Sequence, residues 1–184
     1  MAKRDARRDG RVQEPGVEWL DEIAILGIRQ RATWDARTVT EHPKRDPLHL
    51  EILRAREAHR VWVDAWSTPP GTSFDDVARR AGLELLGDRW EVIGRDAAVD
   101  LLTLLLHRDL AYDGVVVPAP RARELAEGFV GSFGPAECRI ATNRLVHDGQ
   151  FESAWNGVTS FTFDAGVIVV SQERAGVLWV ADED

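Results

Sequence analysis

The stretch FTFDAGVIVVSQERAGVLWV, residues 161–180, decides the fold class. Phe161–Phe163 alternates apolar and polar residues, and two β-rich runs follow, Val167–Val170 and Val177–Val180. The polar segment Ser171–Gly176 between the two runs has the length of a hairpin connection and contains glycine. We therefore expect an antiparallel sheet in this part of the chain.

Residues upstream of this stretch show the hydrophobic periodicity that is typical of helices. Arg95–Leu110 is apolar nearly all round, as expected of a helix buried in the core. Asp46 followed by Pro47 is a helix start signal, and we expect this helix to continue far enough to turn Val61 inward. Further helices are predicted from about Val17 to Arg31, from Ser73 to Arg80, and after Pro118-Ala119-Pro120.

Three shorter segments favour extended structure. Trp90–Ile93 is either a short strand or the entry to the Leu-rich helix, Val115–Val117 is a buried strand or an extended link, and Arg139–Leu145 is a candidate strand. Together, the patterns predict an α+β fold in which a mainly helical N-terminal two-thirds packs on a small antiparallel C-terminal β-sheet. The length of 184 residues suits one globular domain, which we assign to residues 13–184.

Charge is unevenly distributed along the chain. Residues 1–11 contain five basic and two acidic residues, whereas the whole chain has a formal net charge of −8. We expect residues 1–12 to form a flexible basic arm that is solvated, although such an arm could also contact nucleic acid or an acidic lipid surface. The rest of the chain is strongly acidic, which opposes nucleic-acid binding and favours a basic protein partner.

Composition also bears on the cellular compartment. No apolar run approaches the roughly 18 residues that a membrane helix needs. The first residues are charged rather than apolar, unlike a secretory signal. The single cysteine, Cys138, excludes an internal disulfide. We therefore expect a soluble, cytoplasmic protein without membrane contact, and the sequence leaves its oligomeric state open.

Several short motifs resemble catalytic signatures, and each departs from its signature. His107-Arg108-Asp109 spells the start of a protein-kinase catalytic loop, but Gly114 occupies the place of the magnesium-binding asparagine. Val130–Gly134 nearly matches the nucleophile elbow of hydrolases, but Val130 replaces the first glycine. No phosphate loop, dinucleotide fingerprint or zinc-binding helix occurs, so we expect no cofactor and no metal. An enzyme would need a site assembled in space, for which the candidates are Asp109, Asp113, His147 and Asp164.

The segment Ser73–Gly82 resembles the first helix and turn of helix-turn-helix regulators. This resemblance implies that a recognition helix follows, with Arg, Lys, Ser or Asn facing the major groove of DNA. The next residues, Leu83–Asp88, are instead acidic and apolar, so their carboxylates would face phosphate. Nucleic-acid binding through this segment and the basic arm therefore stays an alternative that the charge disfavours.

One pattern in the C-terminal third consists of Trp155-Asn156, Thr162–Ile168, Gly176–Trp179 and Asp182–Asp184. It resembles small acidic bacterial proteins of the immunity type, which neutralise a toxin made by the same or a neighbouring cell. The resemblance implies a non-enzymatic inhibitor that docks its carboxylates against the cationic active site of a basic toxin. Immunity families share no common site, so the resemblance transfers no functional residue.

Candidate partner-binding residues combine aromatic and acidic side chains. Trp34 and Trp155, two of seven tryptophans, lie in polar, turn-like surroundings, and tryptophan is enriched at binding hot spots. The carboxylates of the C-terminal third could meet a basic partner. We therefore expect partner binding to involve Trp34, Trp155, Asp164, Asp182, Glu183 and Asp184. The alternatives are an enzyme with an unrecognised Asp/His site and the nucleic-acid binder described above.

Overall fold

A five-stranded antiparallel sheet forms the centre of the fold. The computed structural model describes residues 46–57, 59–134, 137–147 and 150–184. Strand order in the sheet is β1-β7-β6-β3-β2, and β4 and β5 form a separate two-stranded hairpin. The strands are β1 (Arg60–Ser67), β2 (Glu91–Ile93), β3 (Arg139–Thr142), β4 (Arg144–His147), β5 (Gln150–Trp155), β6 (Phe163–Val170) and β7 (Arg174–Asp182).

Strands β6 and β7 form the hairpin that the sequence predicts, with Val167 opposite Leu178. Every residue from Asp164 to Val170 and from Ala175 to Asp182 is buried. The two strands are apolar without alternation because both faces of the sheet are covered by other elements.

In the described part of the chain, four helices accompany the sheet and cover its two faces unequally. They are α1 (Pro47–Ala55), α2 (Phe74–Ala81), α3 (Arg95–His107) and α4 (Ala119–Gly131). Helices α1, α3 and α4 pack on the face that carries Val167 and Leu178, which we call the three-helix face. Helix α2 and the segment Leu83–Trp90 pack on the opposite face, which carries Ile168 and Trp179 and which we call the α2 face.

The prediction of a mainly helical N-terminal two-thirds is wrong. The described helices are short, and the strands dominate the C-terminal half. Helix α1 ends at Ala55 and does not reach Val61, because Arg60–Ser67 is strand β1. In β1, the apolar residues alternate between the two faces of the sheet, Val61 and Val63 on one and Trp62 and Trp66 on the other. This period of two, rather than a helical period, governs the segment.

Other sequence expectations divide between confirmation and correction. The Leu-rich helix exists as α3, the strand reading of Trp90–Ile93 is confirmed by β2, and Arg139–Leu145 is divided between β3 and β4. Residues 115–117 form an extended link whose first residue, Val115, is exposed. The predicted helix Val17–Arg31 and the domain boundary at residue 12 lie outside the described residues.

Helix α2 has the predicted ends but not the predicted successor. Ser73 and Asp76 form a capping box at its start, and Gly82 ends it with a φ of 75°. Residues 83–86 have no regular secondary structure, and a single 3-10 turn follows at Gly87–Arg89. The recognition helix of a helix-turn-helix motif therefore does not follow α2. Among the described residues, no helix combines the length and the apolar character that crossing a membrane requires.

Candidate functional site

Asp164, a predicted partner-binding residue, lies in the interior at the start of β6. Its side chain accepts hydrogen bonds from Asn143 Nδ2 at 2.8 Å, from the Val158 N–H at 3.0 Å, and from both the N–H and the hydroxyl of Thr159 at 2.8 and 2.7 Å. Only 1% of the residue is exposed. The carboxylate therefore holds the loop before β6 against the sheet and is not available at the surface.

Asp182, another predicted partner-binding residue, is buried at the end of β7. It accepts hydrogen bonds from Arg56 Nη2, at 3.0 and 3.1 Å, and from the N–H of Leu110 at 2.9 Å. Arg56 is fully buried and also donates to the carbonyls of Leu105 and Arg108 at the C-terminal end of α3. A cation at this end of a helix satisfies carbonyls that have no partner within the helix. Arg56 and Asp182 thus connect α1, α3 and β7.

A histidine and two aspartates meet beside this ion pair. His59 Nδ1 lies 3.1 Å from Asp182 Oδ1 and 3.2 Å from Asp109 Oδ2. Asp109 Oδ1 accepts the N–H groups of Ala111 and Tyr112, which fixes the orientation of that carboxylate. The side chains of His59 and Asp109 are 25% and 13% exposed, so solvent reaches them. We call His59, Asp109 and Asp182 the His–Asp cluster.

The candidate catalytic residues from the sequence are not brought together. Asp109 belongs to the His–Asp cluster, whereas Asp113 is exposed and pairs with Arg108. Asp164 is buried in the separate network described above, and His147 is at the end of β4. Asp109 therefore meets a histidine that the sequence analysis did not select, His59, which lies 50 positions before it in the chain.

Trp155 and the last two acidic residues lie at the end of the sheet where β6 begins and β7 ends. The rings of Trp155 and Phe163 have centroids 5.7 Å apart, and the Thr162 hydroxyl donates to Glu183 at 2.6 Å. Glu183 and Asp184 are exposed, whereas Trp155 is half-buried. The structure therefore places three of the predicted partner-binding residues at one end of the sheet, and Trp34 lies outside the described residues.

Two arginines reduce the negative potential of this end. Arg144 lies over the ring of Trp155, and Arg60 lies over the ring of Phe161. Burial lowers the pKa of Arg144 from its usual value. Two cations therefore accompany Glu183 and Asp184 at this end.

A second surface is more acidic and was not selected from the sequence. The segment Glu84–Val92, which we call the acidic segment, carries three carboxylates, one exposed arginine (Arg89) and two exposed apolar side chains. Leu85 is 42% exposed and Val92 is 69% exposed. Val92 lies opposite Ala141, which belongs to the α2 face, and the acidic segment packs on that same face. The carboxylates are Glu84, Asp88 and Glu91, and within the described ranges none of them takes part in an ion pair.

Asp75 of α2 fixes the shape of the acidic segment. Its Oδ1 accepts hydrogen bonds from the N–H groups of Leu86 and Gly87, both at 3.2 Å, and from Trp90 Nε1 at 2.8 Å. The bond from the Trp90 indole is the largest of the influences that lower the pKa of Asp75. Trp90 in turn packs edge-on against Trp179 of the sheet. The acidic segment is therefore held rigidly although it has no regular helix beyond one 3-10 turn.

One signal for this surface was present in the sequence. Leu83–Asp88 is acidic and apolar. From the sequence alone, this composition argues only against a DNA-recognition helix. The same composition at an exposed position fits a protein surface that receives cations. By contrast, no local sequence pattern predicts the His–Asp cluster, because its three residues are separated by 50 and 73 positions in the chain.

Comparison of the chain with family models, with curated proteins and with solved structures finds no match.

Proposed function

We propose that the protein binds a basic protein partner through the acidic segment and acts in the cytoplasm as an inhibitor of the immunity type. The observation that carries this proposal is a pair of exposed carboxylates without an ion pair among the described residues, Glu84 and Asp88, in a segment that also exposes Leu85 and Val92. The third carboxylate, Glu91, is half-buried and lies on the opposite face of β2 from Val92. Exposed carboxylates around apolar side chains match the usual anatomy of a protein interface, an apolar centre with a polar rim.

The carboxylates of helix α4 and its neighbours, in contrast, form ion pairs within the chain. Arg121 pairs with Glu51 and Glu124, and Arg123 pairs with Asp100 and Glu127. These side chains already have cationic partners within the chain, so a basic protein would gain little from them. The carboxylates of the acidic segment remain available to the Lys and Arg side chains of a partner, and such complementarity chiefly accelerates association.

Rigidity of the segment supports the same proposal. Three hydrogen bonds to Asp75 hold the backbone of Leu86 and Gly87 and the ring of Trp90. A surface that keeps its shape loses less conformational entropy when a partner binds. The acidic segment thus presents its charges in one arrangement before the partner arrives.

A test compares three forms of the full chain as bait in a lysate of the producing cell at low salt. The site variant carries Glu84→Gln, Asp88→Asn and Glu91→Gln. The matched control carries Glu57→Gln, Glu137→Gln and Glu173→Gln, three exposed carboxylates elsewhere that also lack an ion pair within the described residues. We expect the natural chain and the control, but not the site variant, to retain one basic protein in a 1:1 complex.

Function as an inhibitor is tested by producing that basic protein in a host cell. Growth arrest by the partner, relieved by co-production of the natural chain but not of the site variant, is the expected result. Equal retention of the partner by the site variant, or a partner that does not harm the host, contradicts the proposal. A parallel variant, Glu183→Gln with Asp184→Asn, shows whether the end of β6 and β7 contributes to binding.

A further inference from the structure

We propose that the His–Asp cluster binds a divalent transition-metal ion of the zinc type through His59 Nδ1, Asp109 Oδ2 and Asp182 Oδ1. One ligand atom from each of the three residues lies within 4.8 Å of the others. Imidazole nitrogen together with carboxylate oxygen is a donor set that zinc accepts. This inference is independent of the proposed function, because the acidic segment is not involved.

The distances within the cluster fit such an ion. His59 Nδ1 lies 3.1 and 3.2 Å from the two carboxylate oxygens. Ligand atoms at about 2.0 Å from a tetrahedral zinc ion are separated by about 3.3 Å from one another. The nitrogen therefore already lies at the spacing that a shared metal ion needs from both oxygens, which are themselves within 4.8 Å of each other.

The two carboxylates are held in place by other groups. Asp109 Oδ1 is occupied by the N–H groups of Ala111 and Tyr112, which leaves Oδ2 for the ion. Asp182 Oδ2 is held by Arg56 and by the N–H of Leu110. Asp182 Oδ1 also accepts a hydrogen bond from Arg56 Nη2, at 3.1 Å, which uses one lone-pair position of this oxygen and leaves the other for the ion. Metal-binding carboxylates commonly have such outer hydrogen bonds, because these bonds fix the ligand geometry before the metal binds.

Charge in the cluster favours a bound cation. The carboxylates of Asp109 and Asp182 lie close together, and the guanidinium of Arg56 contacts Asp182. Asp182 is 3% exposed at its side chain and Asp109 is 13% exposed. Two carboxylates that are close together and little exposed repel each other, and a cation bound between them relieves this repulsion.

Arg56, which contacts Asp182 of the cluster, has one N–H group without an acceptor among the described residues. Arg56 is fully buried, its Nη2 contacts Asp182, and its Nε–H has no acceptor among the described residues. Zinc sites with three protein ligands carry a water molecule in the fourth position. The oxygen of such a water is an acceptor of the kind that the Arg56 Nε–H lacks.

The test uses the metal-free full chain and Zn²⁺ as the probe in isothermal titration calorimetry. We expect one saturable site in the natural chain and at least tenfold weaker binding after either His59→Gln or Asp109→Asn. Asp113→Asn, on the same loop as Asp109 but paired with Arg108 at the surface, is the matched control and retains the affinity. Circular dichroism verifies that each variant is folded.

A spectroscopic measurement identifies the ligand directly. Zinc should shift the ¹⁵N resonance of His59 Nδ1 and leave that of His107, which contacts the Val117 carbonyl, unchanged. No saturable binding, binding that survives both His59→Gln and Asp109→Asn, or a shift confined to another histidine would each overturn the proposal.

Discussion

Single carboxylates, the buried Asp164 and the half-buried Asp75, determine the local structure at two places in this protein. Asp164 accepts hydrogen bonds from Asn143, Val158 and Thr159 and so holds the loop before β6. Asp75 holds the acidic segment in a similar way. A buried donor that loses its acceptor costs about 1–3 kcal/mol, which is more than a typical hydrogen bond contributes. The two residues should therefore be sensitive to substitution for structural reasons.

Replacement of Asp164 by Ala should lower the free energy of unfolding by about 3 kcal/mol or more, since it leaves the donors of Asn143, Val158 and Thr159 without an acceptor. Urea unfolding of the full chain measures this change. Asp88→Ala, at an exposed position, is the control and should stay within about 0.5 kcal/mol of the natural chain. A loss below about 1 kcal/mol for Asp164→Ala would contradict the structural role assigned to this carboxylate.

Asp75 should make stability depend on pH in the acidic range. Hydrogen bonds, that from Trp90 above all, lower its pKa in the folded state below the usual value of 3.8. The resulting stabilisation is complete above the pKa of the unfolded chain and is lost as the pH falls through the lower, folded pKa. Asp75→Asn keeps an acceptor oxygen but no longer titrates.

The measurement is the free energy of unfolding between about pH 4 and pH 2. We expect a shallower decline for Asp75→Asn than for the natural chain. Some decline remains because the hydroxyl of Ser73 also lowers the pKa of Asp76. An identical decline in both proteins would show that Asp75 does not contribute.

The secondary-structure elements differ in how far their own sequence determines them. The β6–β7 hairpin and α3 are recognisable locally, because a short connection or an unbroken apolar helix defines each of them. Strand β1 is not, since its partner β7 lies more than a hundred residues later, with Arg60 opposite Ala181. A sheet that gathers distant strands forms on tertiary contacts that no local window contains.

The candidate sites follow the same division. The acidic segment can be recognised from its composition. The His–Asp cluster, in contrast, forms only because the end of β7, the start of β1 and the loop after α3 meet in the folded chain. The burial of Asp164 and Asp182 could not be predicted from the sequence. Their neighbours in sequence include other polar residues, and only the packing of distant groups such as Asn143 and Arg56 shows that these two carboxylates are interior.

Close packing of β6 against β7 predicts a severe effect of Gly166→Ala. A Cβ at this position would meet the Leu178 carbonyl and the ring of Trp179, with Trp179 Cδ2 at 2.6 Å. Trp179 is fully buried, so the ring has no free space for a shift. We expect a loss of about 3 kcal/mol or more in the free energy of unfolding, measured by urea denaturation.

The control for this substitution is Gly131→Ala at the end of α4, where an added Cβ meets no atom within 4 Å. Its effect should be small and in the stabilising direction, up to about 1 kcal/mol, because alanine favours the helix. A similar stability for the two variants would mean that β6 and β7 are not packed as closely as described.

At the scale of the whole molecule, acidic charge is the property most relevant to function. The chain has a formal net charge of −8, and arginines of α4 compensate part of its acidic surface internally. The three carboxylates of the acidic segment form no ion pair among the described residues, and they outnumber the one arginine of the segment, Arg89. Electrostatic attraction of this kind accelerates the encounter with a basic protein and weakens as salt screens the charges.

The most direct test of whether the acidic segment attracts a basic partner is the association rate constant with that partner. It is measured by stopped flow from about 20 mM to about 300 mM salt. The natural chain should associate at least about tenfold more slowly at the high salt concentration. The variant Glu84→Gln/Asp88→Asn/Glu91→Gln should be slower at low salt, depend less on salt, and converge with the natural chain at high salt. The variant Glu57→Gln/Glu137→Gln/Glu173→Gln should stay closer to the natural chain. Equal association rates at low salt for the natural chain and the acidic-segment variant would show that the carboxylates of this segment do not attract the partner.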